Sequence, residues 1–286
     1  MFMTKYKESI MKAVFFTAAC ISILAVALIC LFLFINGVPA IAKIGIFDFV
    51  LGTTWKPANT PPSFGIMPMI VGSICVTAGA ALFGIPTGVL TAVFMAAYSP
   101  KRIYRILKPA VNLLAGIPSI VYGFFGLVVI VPFVRETFGG TGSSMLAASI
   151  LLGIMILPTI IGVSESAIRA VPQSYYEGAL ALGASHERSI FFVMLPAAKS
   201  GIMAAVVLGI GRAIGETMAV IMVAGNQARM PAGFLKGVRT LTANIIIEMG
   251  YAAELHREAL IGTGVVLLVF ILVINLLLSV FKRRTG

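Results

Sequence analysis

Charged residues are scarce in this sequence, and their scarcity excludes an ordinary soluble protein. Only 11% of the 286 residues are Asp, Glu, Lys or Arg, and the mean hydropathy is +1.06. A soluble domain carries about 25% charged residues because most of its surface faces water. No polar stretch between the apolar runs is long enough to form a soluble domain of its own. Most of this chain is therefore expected to face lipid.

Side chains that commonly carry catalysis are equally few. The sequence has three cysteines, all inside apolar runs, and two histidines, His186 and His256, in segments predicted on opposite sides of a membrane. It contains no CxxC pair and no phosphate-binding loop of the form GxxxxGK followed by Ser or Thr. We therefore expect no catalytic residue, no metal site and no cofactor in this chain, and no ATP binding through such a loop.

Long apolar runs are what the sequence has in abundance. A helix of roughly 20 residues crosses the hydrocarbon core of a bilayer. Six runs reach that length, and we predict helices at about 13–36, 67–98, 110–134, 145–167, 201–225 and 259–281. The first run exceeds the roughly 7–15 apolar residues of a cleaved signal peptide, so we expect it to be retained. The predicted fold class is all-α, a polytopic membrane protein.

The distribution of Lys and Arg predicts the orientation in the membrane. With the N-terminus inside, 13 of the 21 basic residues fall inside and 7 outside, while Arg212 lies within the fifth predicted helix. Cytoplasmic loops of membrane proteins carry such an excess. We therefore predict both termini in the cytoplasm and the chain in the cell (inner) membrane. The net charge of +11 sits largely in short loops, such as the predicted basic loop 101–108, so no nucleic-acid partner is expected.

Two opposite charges are predicted near the middle of the fifth helix. Arg212 and Glu216 are four residues apart, so on a continuous helix their side chains can meet. A charge at that depth costs about 2.5–3.5 kcal/mol on insertion scales, and such residues usually face a cavity or a partner. We predict that both residues line a translocation path. A structural ion pair that locks helices together is the alternative.

The cytoplasmic segment 168–199 is the second candidate site. It is polar at first and predicts a short amphipathic helix that contains Glu177 and Ala179 and ends at Gly183. A second stretch, 193–196 (VMLP), leads back into the membrane. A short helix in a cytoplasmic loop suits the docking of a soluble partner. The alternative is a helix that lies passively on the membrane surface.

This segment resembles the EAA motif of ABC-transporter permeases. The motif begins Glu-Ala-Ala, continues to a glycine and ends in Ile-x-Leu-Pro, and the spacing here matches it. Gly178 stands in place of the first alanine and Val193 in place of the isoleucine. In that family the motif forms the coupling helix, which sits in a cleft of the ATPase subunit. The resemblance implies that Glu177, Ala179 and Gly183 are docking residues.

Other motifs narrow the resemblance to the permeases of the Pst phosphate importer, PstC type. They are 114–123 (LAGIPSIVYG), 156–160 (ILPTI), 212–220 (RAIGETMAV), 223–226 (VAGN), 239–242 (RTLT) and 248–250 (EMG). The partner permease of that importer, PstA, shares RAIGET but usually differs immediately after it. The resemblance extends over nearly the whole chain.

The resemblance implies a type I ABC-importer permease fold. Residues 1–66 would form the N-terminal helix and first outer connection, and residues 67–286 the permease core of five transmembrane helices with the coupling segment. The implied partners are a PstA-type permease, a dimer of ATPase subunits that hydrolyses ATP, and an extracytoplasmic phosphate-binding protein. The implied substrate is inorganic phosphate, moved by alternating access.

Other functions remain open at the level of the sequence. Within the same class, the chain could be a PstA-type permease or a permease for another oxyanion such as molybdate or sulfate. An ion-coupled secondary transporter needs no docking loop and often shows an inverted repeat. A membrane-embedded enzyme needs a catalytic cluster, which the sequence does not show. The docking motif favours the importer.

Overall fold

Six helical spans dominate the computed structural model. It describes the backbone of residues 2–285 and the side chains of Glu8 and residues 10–277. The spans are Ile10–Ile44, Met67–Tyr98, Ser119–Phe138, Met145–Arg169, His186–Gly215 and Glu254–Leu277. Each is long and apolar enough to cross a membrane. The prediction of an all-α membrane protein with six spans is confirmed.

Shorter helices and one small hairpin connect the spans. The helices are α1 (Phe2–Ile44), α2 (Ile46–Leu51), α3 (Met67–Val93), α4 (Lys101–Gly116), α5 (Ser119–Phe125), α6 (Val131–Phe138), α7 (Met145–Arg169), α8 (Gln173–Ala181), α9 (His186–Ser189), α10 (Leu195–Gly215), α11 (Met218–Val223), α12 (Leu241–Met249) and α13 (Glu254–Thr285). Strands β1 (Trp55–Lys56) and β2 (Ser63–Phe64) pair antiparallel. Turns of π-helix continue the spans at Phe94–Tyr98, Gly126–Ile130 and Ile190–Met194.

The spans alternate in direction, which gives the bundle two distinct ends. The end that carries α4, α8 and α9 is called the coupling end here. The other end, called the distal end, carries α2, the β1–β2 hairpin and α12. Because the number of spans is even, α1 begins and α13 finishes at the coupling end.

Helix α7 forms the centre of the bundle. Its buried side chains include Leu151, Ile156 and Ile160, each at most 1% exposed. Helix α3 approaches it through small residues, because a Cβ atom at Gly84 would lie 2.7 Å from the Ile156 side chain. Helix α10 also packs closely on α7 through a small residue, since a Cβ atom at Gly209 would lie 2.8 Å from the Ile160 side chain. Close packing of small residues is a common source of helix association in membranes.

Helix α1 lies at the edge of the bundle. The most apolar part of its span has no buried residue, and it packs on α13, where a Cβ atom at Gly37 would lie 2.7 Å from Val265 Cγ2. The predicted end of this helix, near residue 36, is wrong. The helix continues through Pro39 to Ile44, because residues 37–44 are mainly small or apolar and pack against the last helix rather than entering water.

The stretch 101–108, predicted as a basic loop, is helical and forms the first turns of α4. Tyr104, Leu107 and Val111 recur at helical spacing and pack at the coupling end beside α7, which explains why this charged segment is ordered as a helix. The third span then starts anew at Ser119. Ile117 between them is extended, with ψ of 126°, as expected for a residue that precedes proline.

Candidate functional site

The fifth span, taken here together with the short helix α11 that follows it, is broken at the charged pair. Helix α10 ends at Gly215, Glu216 is extended with ψ of 133°, and α11 begins at Met218. The Glu216 carboxylate accepts hydrogen bonds from the backbone N–H groups of Thr217 (3.1 Å) and Ala219 (3.2 Å). These bonds satisfy N–H groups that a starting helix leaves without partners, and so compete with a continuous helix. The prediction of an uninterrupted helix over 201–225 is wrong.

The break separates the two charges. Within the described side chains, no ion pair joins Arg212 to Glu216. The predicted contact between them is therefore wrong, because Glu216 leaves the helical path and turns its carboxylate onto the first turn of α11. What the two residues share is the site: both are partly buried beside an interruption in a membrane-spanning helix.

Arg212 extends into the bundle at mid-depth. Its Nη1 donates a hydrogen bond of 3.3 Å to the hydroxyl of Thr159, near the middle of α7, and the guanidinium lies close enough to Tyr122 to interact with it electrostatically. A guanidinium has five N–H donors, and among the described residues only this one bond is formed. The charge therefore has unused donors inside the membrane-spanning region.

The surface beside Arg212 is open. A Cβ atom added at Gly211 or Gly215 would meet no atom of the described structure within 4 Å. The described part of the chain therefore leaves the surface of α10 at these two glycines uncovered. Arg212 thus lies between a packed side, where Ala213 is buried, and an exposed side of α10.

The break is anchored to the distal end. Thr242 in α12 donates a hydrogen bond of 3.1 Å to the backbone carbonyl of Glu216. The backbone of α12 is fixed in turn, because Leu241 N–H donates to the Ser73 hydroxyl of α3 over 3.0 Å. The conformation at Glu216 is therefore coupled to the packing of α3 and α12.

A polar cluster centred on Glu248 at the distal end was not predicted from the sequence. The carboxylate, 5% exposed, accepts hydrogen bonds from Trp55 Nε1 (2.8 Å) and from Arg239 Nη1, and it contacts His256 Nε2 at 2.8 Å. Partial desolvation, together with the negative charge of Glu248, raises the pKa of the nearby Tyr251 phenol above its ordinary value. The cluster joins residues from the hairpin, the last connection and α13.

At the coupling end, α8 closes with a glycine turn. Gly183 has φ of +84°, its N–H donates to the carbonyl of Leu180, and Ala184 N–H donates to the carbonyl of Ala179. This pair of bonds is the Schellman motif, in which glycine is favoured because it has no Cβ atom to oppose a positive φ. The prediction that Gly183 ends the helix is confirmed.

The surface that α8 presents differs from the prediction in one residue. Glu177 and Gly183 are exposed, whereas Ala179 is buried. Ala179 packs inward within this chain, and its role in docking stays a prediction. Helix α8 as a whole contacts the π-helical turn Ile190–Met194. Leu182, which was not singled out, is 91% exposed at the tip of the segment.

An aromatic cluster holds the two halves of the coupling segment together. The Tyr176 hydroxyl in α8 and His186 Nδ1 in α9 are hydrogen-bonded at 2.7 Å. The His186 ring also packs edge-on against Tyr98 at the end of the second span, with ring centroids 5.0 Å apart. The segment is therefore fixed to the membrane-spanning part of the chain.

No group of three or more His, Cys, Asp or Glu side chains within the described residues is arranged to hold a metal ion. The charged side chains described above are held by hydrogen bonds and ion pairs. The main such network at the coupling end is centred on the buried Glu165, which is bonded to Tyr104 (2.8 Å), Lys108 and Arg169 (2.6 Å).

Comparison with known proteins gives a consistent family. The family model of binding-protein-dependent transport system inner membrane components matches residues 84–286. The probable ABC transporter permease protein YqgH of Bacillus subtilis is 40% identical over 93% of this chain and 88% of its own length. The phosphate transport system permease protein PstC of Mesorhizobium japonicum is 31% identical, over 98% and 92%. PstC of Haemophilus influenzae is also 31% identical, over 97% and 95%.

Solved structures share the fold at lower identity. A chain of the MetNI methionine ABC transporter in inward-facing conformations matches with a TM-score of 0.63 at 22% identity, over 77% of this chain and 96% of that one. A chain of a bacterial alginate ABC transporter, in complex with an alginate-bound periplasmic protein, matches with a TM-score of 0.58 at 18% identity, over 76% and 78%. The type I ABC-importer permease fold is thereby confirmed. The chain belongs to the binding-protein-dependent transport system inner membrane components, and within that family it is a permease of the PstC type.

Proposed function

We propose that this chain is the PstC-type permease subunit of an ATP-driven importer for inorganic phosphate. The observation that carries the proposal is the guanidinium of Arg212. It lies beside the middle of α7 with N–H donors that no described residue fills, in a chain whose relatives include phosphate transport system permeases. A guanidinium offers an oxyanion paired hydrogen bonds in a fixed fork geometry.

Arg212 and Glu216 are proposed to line the translocation path together. Arg212 would contact the anion directly. Glu216 would shape the path by holding the interruption of the fifth span open, through its bonds to Thr217 and Ala219. Since its carboxylate is engaged there, it does not neutralise Arg212 in this conformation, and the guanidinium remains available to an anion.

The coupling segment is proposed to dock on the ATPase. Glu177 and Leu182 are exposed on it, and Gly183 fixes the turn at its tip. ATP binding and hydrolysis would take place in a separate dimer of ATPase subunits, with a PstA-type permease completing the path and an extracytoplasmic protein delivering phosphate. The chain belongs to a family of binding-protein-dependent transport components, which supports a partner of that kind.

The cellular orientation is also a proposal. The excess of Lys and Arg predicts that the coupling end faces the cytoplasm, which places both termini there as well. ATP would close the ATPase dimer, the coupling segment would transmit that motion, and the path would open outward to accept phosphate and inward to release it. Such a cycle requires that ATP binds one of the two conformations more tightly than the other.

The test is uptake of labelled phosphate by cells that express this chain with a PstA-type permease, an ATPase subunit and a phosphate-binding protein. We expect ATP-dependent uptake of the label. Excess unlabelled phosphate should abolish it, and excess sulfate or molybdate should leave it nearly unchanged. Inhibition by sulfate or molybdate instead of phosphate would assign the permease to another oxyanion. Uptake that persists without any ATPase subunit would contradict the importer.

A further inference from the structure

A basic pocket lies at the coupling end, apart from the translocation path and α8. We define it by its four cationic residues, Lys101, Arg105 and Lys108 from α4 and Arg169 from the end of α7. It has a volume of about 650 Å³ and is also lined by Tyr104. Lys101, Arg105 and Lys108 are spaced four and three residues apart, so they share one face of α4.

The pocket carries a net positive charge. Glu165 is the carboxylate beside it, and it is bonded to Lys108 and Arg169. Four cations against one carboxylate leave three uncompensated positive charges. Among the described residues, Lys101 and Arg105 form no ion pair or hydrogen bond through their charged groups. The pocket therefore has positive charge for which the described structure provides no counter-ion.

Part of this charge is held rigidly. Arg169 Nε donates to Glu165 over 2.6 Å, and its Nη2 donates to the carbonyl of Met95 over 2.8 Å. Its guanidinium also stacks over the Tyr104 ring, 4.4 Å from the centroid. A planar guanidinium fixed on three sides is pre-organised, and loses little freedom when a phosphate binds it.

The depth of the pocket is set by the spans around it. The second span ends at Tyr98, three residues before Lys101, and the fourth span ends at Arg169 itself. Both sides of the pocket therefore lie where the hydrocarbon core gives way to the headgroup layer. On another face of α4, Ile106 and Leu113 are each 73% exposed. A basic amphipathic helix at this depth is typical of binding to an anionic membrane surface.

We propose that the basic pocket binds the phosphate group of an anionic phospholipid, such as phosphatidylglycerol, in the leaflet at the coupling end. The charge of the pocket fits a phosphate, and its depth and the apolar stripe of α4 favour a lipid over a soluble anion. Arg169 also lines the cavity beneath the coupling segment, so a lipid bound to Arg169 lies next to that segment. The proposal does not depend on which substrate the transporter moves.

The chain offers a matched pair of variants for the test. Arg105→Gln removes a cation that lines the pocket. Arg102→Gln removes a cation from the same helix that does not line it; both residues are exposed. The transporter is purified in detergent through a tag on this chain, and bound lipid is counted by native mass spectrometry. The probes are phosphatidylglycerol and phosphatidylcholine with identical acyl chains.

Preferential binding of phosphatidylglycerol by the wild-type transporter is expected. The binding free energy that one basic residue contributes near an anionic lipid corresponds to about a fivefold change in affinity, so Arg105→Gln should weaken phosphatidylglycerol binding by about that factor. The double variant Lys101→Gln, Arg105→Gln should weaken it further. Arg102→Gln should leave it nearly unchanged. Equal binding of both lipids, or an equal loss with Arg102→Gln, would overturn the pocket. Displacement of phosphatidylglycerol by excess inorganic phosphate would assign the site to free phosphate and reject the lipid.

Discussion

The indole N–H of Trp55 donates a hydrogen bond of 2.8 Å to the carboxylate of Glu248, although 193 residues separate them in the chain. The bond joins the hairpin before the second span to α12 before the last one. Arg239 and His256 also contact the same carboxylate. This cluster holds the distal end together, and α12 in turn holds the backbone of Glu216 through Thr242. The distal end and the break in the fifth span therefore form one connected unit.

Glu248→Gln is expected to destabilise the protein. The substitution keeps the size of the side chain but leaves Arg239, which is 15% exposed at its side chain, without its counter-charge. Loss of one partner of a buried pair costs about 3–5 kcal/mol. Thermal unfolding of the purified protein in detergent measures the effect as a lower Tm.

The exposed pair Lys43–Glu258 provides the control. Its side chains are 60% and 41% exposed, and an exposed ion pair contributes at most about 1 kcal/mol. Glu258→Gln should therefore change the Tm little. A similar Tm loss in both variants would show that Glu248 is no more than a surface partner.

Gly183 is expected to be replaceable only by a residue that tolerates a positive φ. At φ of +84° a β-branched side chain is strained by about 1–2 kcal/mol or more, whereas asparagine adopts this region readily. No atom lies within 4 Å of a Cβ at this position, so size alone is not the obstacle. Gly183→Val should reduce transport and Gly183→Asn should largely preserve it. Equal transport by both variants would mean that the turn is not required for coupling.

Leu182 is expected to contribute to the contact with the ATPase. It is 91% exposed and sits at the tip of the coupling segment, so Leu182→Asp should leave the fold intact and reduce copurification of the ATPase subunit. Phe234→Asp is the control, because Phe234 is 67% exposed but lies at the distal end. If both substitutions release the ATPase, or neither does, Leu182 is not a docking residue.

The spans were predictable because the bilayer fixes their length and polarity, independently of what each helix packs against. The helical start of α4 was not predictable in this way. Its charged residues suggested a loop, and only the packing of Leu107 and Val111 beside α7 makes it a helix. Local sequence patterns cannot predict the cluster at Glu248, because its members are separated by up to 193 residues in the chain.

The candidate site was predicted in part. Arg212 and Glu216 were identified by their depth and rarity. The glycines of 209–215 weaken a helix, but all of them lie within α10, so glycine alone does not predict the break after Gly215. The break depends on a carboxylate that turns back onto its own backbone and on Thr242 from a distant helix. Likewise, the motif identifies Ala179, but its burial within this chain depends on tertiary packing that the motif does not describe.

Glu216 substitutions should distinguish a backbone role from an ion pair. Glutamine keeps an oxygen that accepts the bonds from Thr217 and Ala219, though a neutral acceptor is weaker than a carboxylate. Leucine keeps none. Uptake should therefore fall in the order wild type, Glu216→Gln, Glu216→Leu. If glutamine and leucine reduced uptake equally, the charge of Glu216 would matter more than its bonds to the backbone.

Arg212→Gln is expected to abolish most uptake while the subunits still assemble. Loss of hydrogen bonds from a charged donor costs roughly 1.5–3 kcal/mol, or about 10- to 100-fold in binding. Arg212→Lys should retain more activity than glutamine but less than wild type, because lysine keeps the charge without the fork. Arg135→Gln at the exposed end of α6 is the matched control and should transport normally.

The double variant Arg212→Leu, Glu216→Leu separates a path from a structural lock. If the two charges only held helices together, an apolar replacement of both would restore packing and transport, as is often found when buried pairs are replaced by hydrophobic residues. No ion pair joins them within the described side chains, and Arg212 is bonded instead to Thr159. The double variant should therefore assemble and fail to transport. Near-normal uptake by it would remove Arg212 from the path, since no guanidinium would then be needed to carry the anion through the membrane.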